Sequence, residues 1–253
     1  MAQTYLERLQ KGQGNRQLIC FPYLGGYAQS FNPLVPYLPD TEIWAFTPPG
    51  HGMNAEQPLE HMQQLVDLYT QELLPVIQPG ATLFGHSLGG IAAYYVAERI
   101  QKELPDVAQT LRLVLSACNT PADCAVNRYD QMSDDQLIHQ LFSYDGLPKD
   151  LIHEKELLQY FMPVIRADFR MLESAATLEY QPISLPVLYL RGERDNAVPL
   201  QSVLKWEPYF DVPMKLQTIR EGTHMFIMHH PATVAYYLTS FMTPALERLN
   251  IVE

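Results

Sequence analysis

The sequence predicts an α/β protein with a mostly parallel sheet covered by helices. Three observations predict it. Short aliphatic runs alternate with helix-like segments along most of the chain. The runs are brief and rich in Leu, Ile and Val, as strands buried on both faces should be. A G-x-S-x-G pentapeptide, Gly85-His86-Ser87-Leu88-Gly89, stands where one run meets a helix.

Taken in order, Met1 to Arg16 is polar and charged and has no apolar stretch of a secretory leader. Strands are expected at Leu18–Phe21, Ile43–Thr47, Thr82–Phe84, Leu111–Ala117, Val187–Leu190 and Lys215–Ile219. Helices are expected at Leu59–Ile77, where Leu65, Leu68, Tyr69, Leu73 and Val76 recur at helical spacing, at Gly90–Leu104, where Ala92, Val96 and Ile100 share a face, and at Thr233–Leu249. Between Ala122 and Tyr180 the strand pattern stops. Two helical segments, Ser133–Phe142 and Glu154–Leu178, flank the loop Ser143–Asp150. Ser133 with Gln136 three residues on forms a capping-box pattern. An insertion of this size, residues 122–180, reads as a helical lid within a single domain spanning residues 1–253. An ordinary pair of surface helices is the alternative that pattern alone leaves open.

Composition narrows the function classes. The 253 residues carry a net charge of −11 and no five-residue basic run, which argues against nucleic acid as a partner. No run of 18 apolar residues is present, so no transmembrane helix is expected. Cys20, Cys118 and Cys124 match no zinc spacing and read as reduced thiols of a cytoplasmic protein, with Cys20 in the core. A monomer is expected.

The pentapeptide carries the chemistry. With 13 glycines in the chain, chance supplies about 0.02 such motifs. A serine on a sharp strand-to-helix turn exposes its hydroxyl, and the Leu88 N–H behind it can bind a developing oxyanion. A serine needs a base, and the base needs a carboxylate to orient it. On this architecture they follow in the order Ser, Asp or Glu, His, at the carboxyl ends of strands. Asp195, after Val187–Leu190, and His224, after Lys215–Ile219, meet both conditions. Glu193 is the rival carboxylate. His229 and His230 are rival histidines, but they fall at a helix start before Pro231. No carboxylate accompanies the three histidines with ligand spacing, so no metal is expected. The second oxyanion N–H is expected from Leu24, in the loop Phe21-Pro22-Tyr23-Leu24-Gly25-Gly26. His86 and His51 are candidate substrate contacts. For His86, a hydrogen-bonded structural histidine is the plainer reading. His51, in Pro48-Pro49-Gly50-His51-Gly52, either lines the cleft or fills a glycine-rich turn.

These segments, with Gly192 to Asp195, Gly222-Thr223-His224 and the lid stretch Phe161 to Glu173 (FMPVIRADFRMLE), resemble the type II thioesterases of nonribosomal peptide and polyketide synthases. The resemblance runs from about Leu18 to Pro231. It implies an α/β-hydrolase fold with a helical lid, no cofactor of the enzyme's own, and acyl or peptidyl carrier proteins as partners. The substrate would be an acyl or aminoacyl thioester on their phosphopantetheine arm. It implies Ser87 as nucleophile, Asp195 as orienter, His224 as base, and Leu24 and Leu88 as oxyanion donors. Two positions depart from the family pattern. Leu24 stands where alanine is common, so the bulkier side chain is expected to narrow or redirect the acyl pocket. His51 stands where arginine is frequent, so a charge-based contact that the family would imply at that loop is not carried over to this chain. From Ala122 to Tyr180 the chain has eleven Asp or Glu and five Lys or Arg, so docking of an acidic carrier would rest on apolar residues and local cations such as Arg166 and Arg170, which fit equally well as internal salt-bridge partners. An esterase or lipase acting on small esters, a non-catalytic ligand binder of the same fold, and acyl transfer to an acceptor other than water are the competing readings.

Overall fold

The computed structural model describes residues 4–125, 128–147 and 149–243. Seven strands form one sheet: β1 (Leu6–Gln10), β2 (Arg16–Phe21), β3 (Thr41–Phe46), β4 (Thr82–His86), β5 (Arg112–Ser116), β6 (Val187–Gly192) and β7 (Lys215–Ile219). Their order is β1-β3-β2-β4-β5-β6-β7. Only β1 runs antiparallel to its neighbour; every other pairing is parallel. The helices are α1 (Met62–Leu73), α2 (Leu88–Glu103), α3 (Pro105–Ala108), α4 (Pro121–Cys124), α5 (Asp134–Ser143), α6 (Lys155–Ala175), α7 (Leu200–Leu204), α8 (Phe226–His229) and α9 (Pro231–Met242).

Strand periodicity builds two cores. Ile19, Phe21, Leu83, Leu113, Leu115 and Tyr189 point to the face covered by α1 and α2. Leu18, Cys20, Phe84, Val114, Leu188 and Leu190 point to the face covered by α8, α9 and the 3-10 segment Ala28–Tyr37. Successive residues thus enter opposite cores, which is why each central strand reads as a continuous apolar run.

Besides the short helices α3, α4, α7 and α8, two larger elements were not expected. β1 is an edge strand of which only Leu6 is buried, so its sequence LERLQ is largely polar and hides the strand. The segment Ala28–Tyr37 contains Pro33 and Pro36, which obscure its helical pattern. The expected helix at Thr233–Leu249 begins at Pro231, and its residues 244–249 lie outside the described residues.

Between β5 and β6 the chain is helical. Residues 126, 127 and 148 of the expected 122–180 lid lie outside the described residues. The Ser133 cap is formed: its Oγ accepts from Gln136 N at 3.3 Å, and Gln136 Oε1 accepts from Ser133 N at 2.8 Å. The insertion has a small apolar cluster of its own, made by Tyr129, Leu137, Leu141, Met162, Ile165 and Phe169. Among the described residues, no helix is long and apolar enough to cross a membrane.

Trp206 anchors the sheet end beneath α2. It is fully buried among Tyr94, Tyr209 and Phe210, and its indole N–H donates to the Cys118 carbonyl at 3.0 Å. Trp206→Ala is expected to cost about 3–5 kcal/mol through the cavity and the lost hydrogen bond. Urea unfolding of the variant beside wild type measures it, and a loss below about 1 kcal/mol contradicts this role.

Candidate active site

The backbone between β4 and α2 turns too sharply for ordinary residues. Ser87 has φ 53° and ψ −122°, a sparsely populated conformation for a residue with a side chain. A Cβ on Gly85 would lie 2.0 Å from the Gly89 carbonyl oxygen, and one on Gly89 would lie 2.0 Å from the Phe21 carbonyl oxygen. The glycines therefore let α2 start directly against the end of β2. The turn is held by Ser87 N donating to Ser116 O at 2.8 Å and Gly90 N to Ser87 O at 2.9 Å.

Across the sheet, two loops bring the other groups to Ser87. His224 Nε2 is 3.1 Å from Ser87 Oγ, and His224 Nδ1 is 3.0 Å from Asp195 Oδ2. Asp195 Oδ1 accepts from the amides of Ala197 at 2.9 Å and Val198 at 3.1 Å. Burial pushes the Asp195 carboxyl up, but the hydrogen bonds and charge of His224 and these two amides outweigh it and hold the pKa below the ordinary value. The loops carrying Asp195 and His224 are tied by Glu193 N to Ile219 O at 3.0 Å and Arg194 N to Gly222 O at 2.8 Å. Glu193 is exposed and accepts from Glu221 N at 2.9 Å, so it secures this seam away from the histidine. His229 is exposed, and His230 lies at the boundary between α8 and α9.

The cleft beside Ser87 has a volume of about 40 Å³. Tyr129, Tyr144 and Leu172 of the insertion line it, together with Leu88, Cys118 and Val198. The Tyr144 ring lies 5.1 Å from that of His224. Leu88 is the first residue of α2, where an amide has no acceptor within its helix. Leu24 lies in a turn closed by Gly26 N to Tyr23 O at 2.7 Å. Its side chain packs on the insertion's apolar cluster and does not line this cleft.

The rings of His86 and His51 are buried, and neither lines this cleft. His86 Nδ1 is 2.8 Å from Ser116 Oγ, and its ring packs between Tyr23, His224 and Phe226. Burial first, then repulsion from His224, lowers its pKa to about 3. It is a neutral wall behind His224. His51 Nδ1 is 3.0 Å from the Pro49 carbonyl, and its Nε2 is 3.0 Å from Asp168 Oδ2. Both ring nitrogens face acceptors, which only the imidazolium satisfies by donating twice. Burial pulls the His51 pKa down, but the Asp168 charge and both hydrogen bonds outweigh it, so the net shift is upward.

Asp168 was not anticipated, although it lies in the FMPVIRADFRMLE segment. It is buried on α6 within a stripe that includes Met162, Ile165, Phe169 and Met171. A carboxylate on an apolar helical stripe was the signal available in the sequence. Of the two readings of Arg166 and Arg170, the structure shows internal salt bridges. Arg166 Nε donates to Asp134 Oδ1 at 2.6 Å, and Arg170 pairs with Glu60. All three cysteines are buried, and burial raises each thiol, Cys124 to about 12.

A nucleophile elbow at the carboxyl end of a parallel sheet, with a histidine and an aspartate delivered by later strands, defines a serine-hydrolase arrangement on an α/β-hydrolase fold. A thioesterase-domain family model matches residues 16–241. The gramicidin S biosynthesis protein GrsT of Aneurinibacillus migulanus is 30% identical over 221 residues, covering 83% of this chain and 82% of that protein. Thioesterase PikA5 of Streptomyces venezuelae is 27% identical over 214 residues, covering 83% and 75%. The structure of the type II thioesterase BorB from the borrelidin biosynthetic cluster superposes with a TM-score of 0.81 at 26% identity, covering 96% of this chain and all of that one. The chain belongs to the thioesterase family, among the type II thioesterases of nonribosomal peptide and polyketide synthase pathways.

Two outcomes test this geometry. Gly89→Ala forces a methyl group onto the Phe21 carbonyl and is expected to cost about 3 kcal/mol in urea unfolding; a fully stable variant would refute the crossing. The His51–Asp168 pair makes stability depend on pH. A histidine with a raised folded-state pKa stabilises fully below its unfolded value, about 6.5, and loses that contribution as pH climbs through the folded value. Relative to His51→Arg, which stays charged, wild type is expected to lose stability as pH rises above about 6.5 and through the raised folded-state pKa. A pH-independent difference in unfolding free energy counts against a protonated His51.

Proposed function

We propose that this enzyme hydrolyses acyl or aminoacyl groups from the phosphopantetheine arm of carrier proteins, through an acyl-Ser87 intermediate. The observation that carries the reading is the continuous chain from Ser87 Oγ through His224 to Asp195, with contacts of 3.1 and 3.0 Å. His224 takes the serine proton as Ser87 attacks the thioester carbonyl, and Asp195 holds the ring and stabilises the imidazolium. The neutral His86 beside it adds no like charge when that imidazolium forms. The oxyanion is bound by the Leu24 and Leu88 amides. A thiol of pKa near 8.5 leaves more readily than an amine, so His224 has less proton donation to supply. Water activated by His224 then cleaves the ester.

The insertion acts as a lid. The cleft's volume of about 40 Å³ requires it to shift before an acyl-pantetheine arm can enter. Tyr129, Tyr144 and Leu172 are the side chains whose displacement opens the way. Support for carrier-bound substrates comes from the synthase-pathway relatives rather than from surface charge, because the chain is strongly acidic.

Carrier proteins loaded with varied acyl groups, acyl-CoA and nitrophenyl esters separate the readings, with unloading followed by mass spectrometry. Ser87→Ala is expected to lower kcat by about 10⁶ and Asp195→Asn by about 10⁴. Equal unloading by wild type and Ser87→Ala removes the serine from the mechanism. A strong preference for oxygen esters favours the esterase reading.

A further inference from the structure

We propose that Asp168 is a positioning residue for the oxyanion hole: from α6 it holds the Tyr23–Gly26 turn in the form that presents the Leu24 amide, and His51 holds Asp168 in place. This rests on the function proposed above.

Asp168 Oδ2 accepts from the Gly25 amide at 2.7 Å and lies 3.0 Å from His51 Nε2. Three distant segments meet on this one oxygen: the loop after β2, the loop after β3 and the middle of α6. The carboxylate is 1% exposed. An ionised group is tolerated at such a depth only where its partners are well placed. Nothing in the proton path from Ser87 to Asp195 requires it, so its partners indicate its use.

The turn explains what Asp168 controls. Gly25 has φ +72°, whereas Leu24 is not among the positive-φ residues, and Gly26 N donates to Tyr23 O, so Tyr23–Gly26 has the φ pattern and closing hydrogen bond of a type II turn with glycine at its third position. A glycine there tolerates either orientation of the central Leu24–Gly25 peptide. Rotating that peptide swings the Gly25 N–H to the opposite side of the turn and changes ψ at Leu24. Asp168 selects one orientation by accepting that N–H. α6 and its neighbours also grip the turn through a second contact, the Leu24 side chain seated on the cluster containing Ile165 and Phe169. The insertion thus fixes the residue whose amide is the proposed donor, without touching the reacting atoms.

The test uses two ligands on the full-length protein. A trifluoromethyl ketone analogue of an acyl-pantetheine adds to Ser87 and generates the oxyanion. The corresponding carbonyl-free thioether fills the same cleft without one. Loss of a whole oxyanion donor costs about 10²–10³ in rate. For Asp168→Ala, kcat/KM and ketone affinity are expected to fall together by about 10- to 100-fold, through kcat rather than KM, with thioether affinity within about twofold of wild type. Asp168→Asn keeps the volume and an oxygen able to accept from Gly25, and is expected to show the same split with a smaller loss. His51→Arg, which retains charge and donors, is expected to stay near wild type. A folded Asp168→Ala that binds the ketone as wild type does, or that loses both ligands equally, overturns the proposal. If Asp168→Ala does not fold, Asp168→Asn decides by the same split. Wild-type hydrolysis of acyl-pantetheine and its loss in Ser87→Ala report separately on the proposed function.

Discussion

The site rests on the close crossing of α2 over the end of β2. Backbone meets backbone there, with room for no side chain at Gly85 or Gly89. That contact holds Ser87 in its strained conformation, because the surrounding main chain leaves it no other. It also brings Leu88, at the free-amide end of a helix, near the loop that carries Leu24. A third glycine, Gly90, extends the same packing: a Cβ there would meet Cys118 Sγ at 2.6 Å. Nucleophile, helix amide and neighbouring loop are therefore consequences of one steric constraint.

Hydrogen-bond partners sort three buried histidines into different chemical roles. His86 has lost its affinity for a proton, and its neighbours are rings and a serine hydroxyl. His51 is equally hidden but has an acceptor at each nitrogen. His224 has a hydroxyl on one side and a carboxylate on the other, the arrangement of a base that carries charge for part of a cycle. The three histidines thus differ through their hydrogen-bond partners.

The central strands and the Ser87–His224–Asp195 set were legible because they depend on local pattern and chain order. Aliphatic runs such as Val187–Leu190 are forced on strands covered on both faces. The seryl turn has a glycine pattern that steric exclusion requires, and a capping box such as that of Ser133 is a four-residue signal. The edge strand β1 escaped because one-sided coverage allows Glu7, Arg8 and Gln10 in a strand. Arg166 and Arg170 looked available because they share a helix face, but their acceptors, Asp134 and Glu60, come from other elements.

The sequence by itself determined the α/β architecture, the seryl turn and the order in which carboxylate and histidine follow it. Each of these is dictated by periodicity, backbone sterics or strand topology, and such constraints leave marks within a few residues. The tertiary structure alone decided where His51 and His86 face and what Asp168 does. Those roles arise from contacts spanning 117 residues between His51 and Asp168 and 143 between Gly25 and Asp168. A carboxylate on an apolar helical stripe announces that it needs a partner; only the packing of α6 against the two loops says which partner it has.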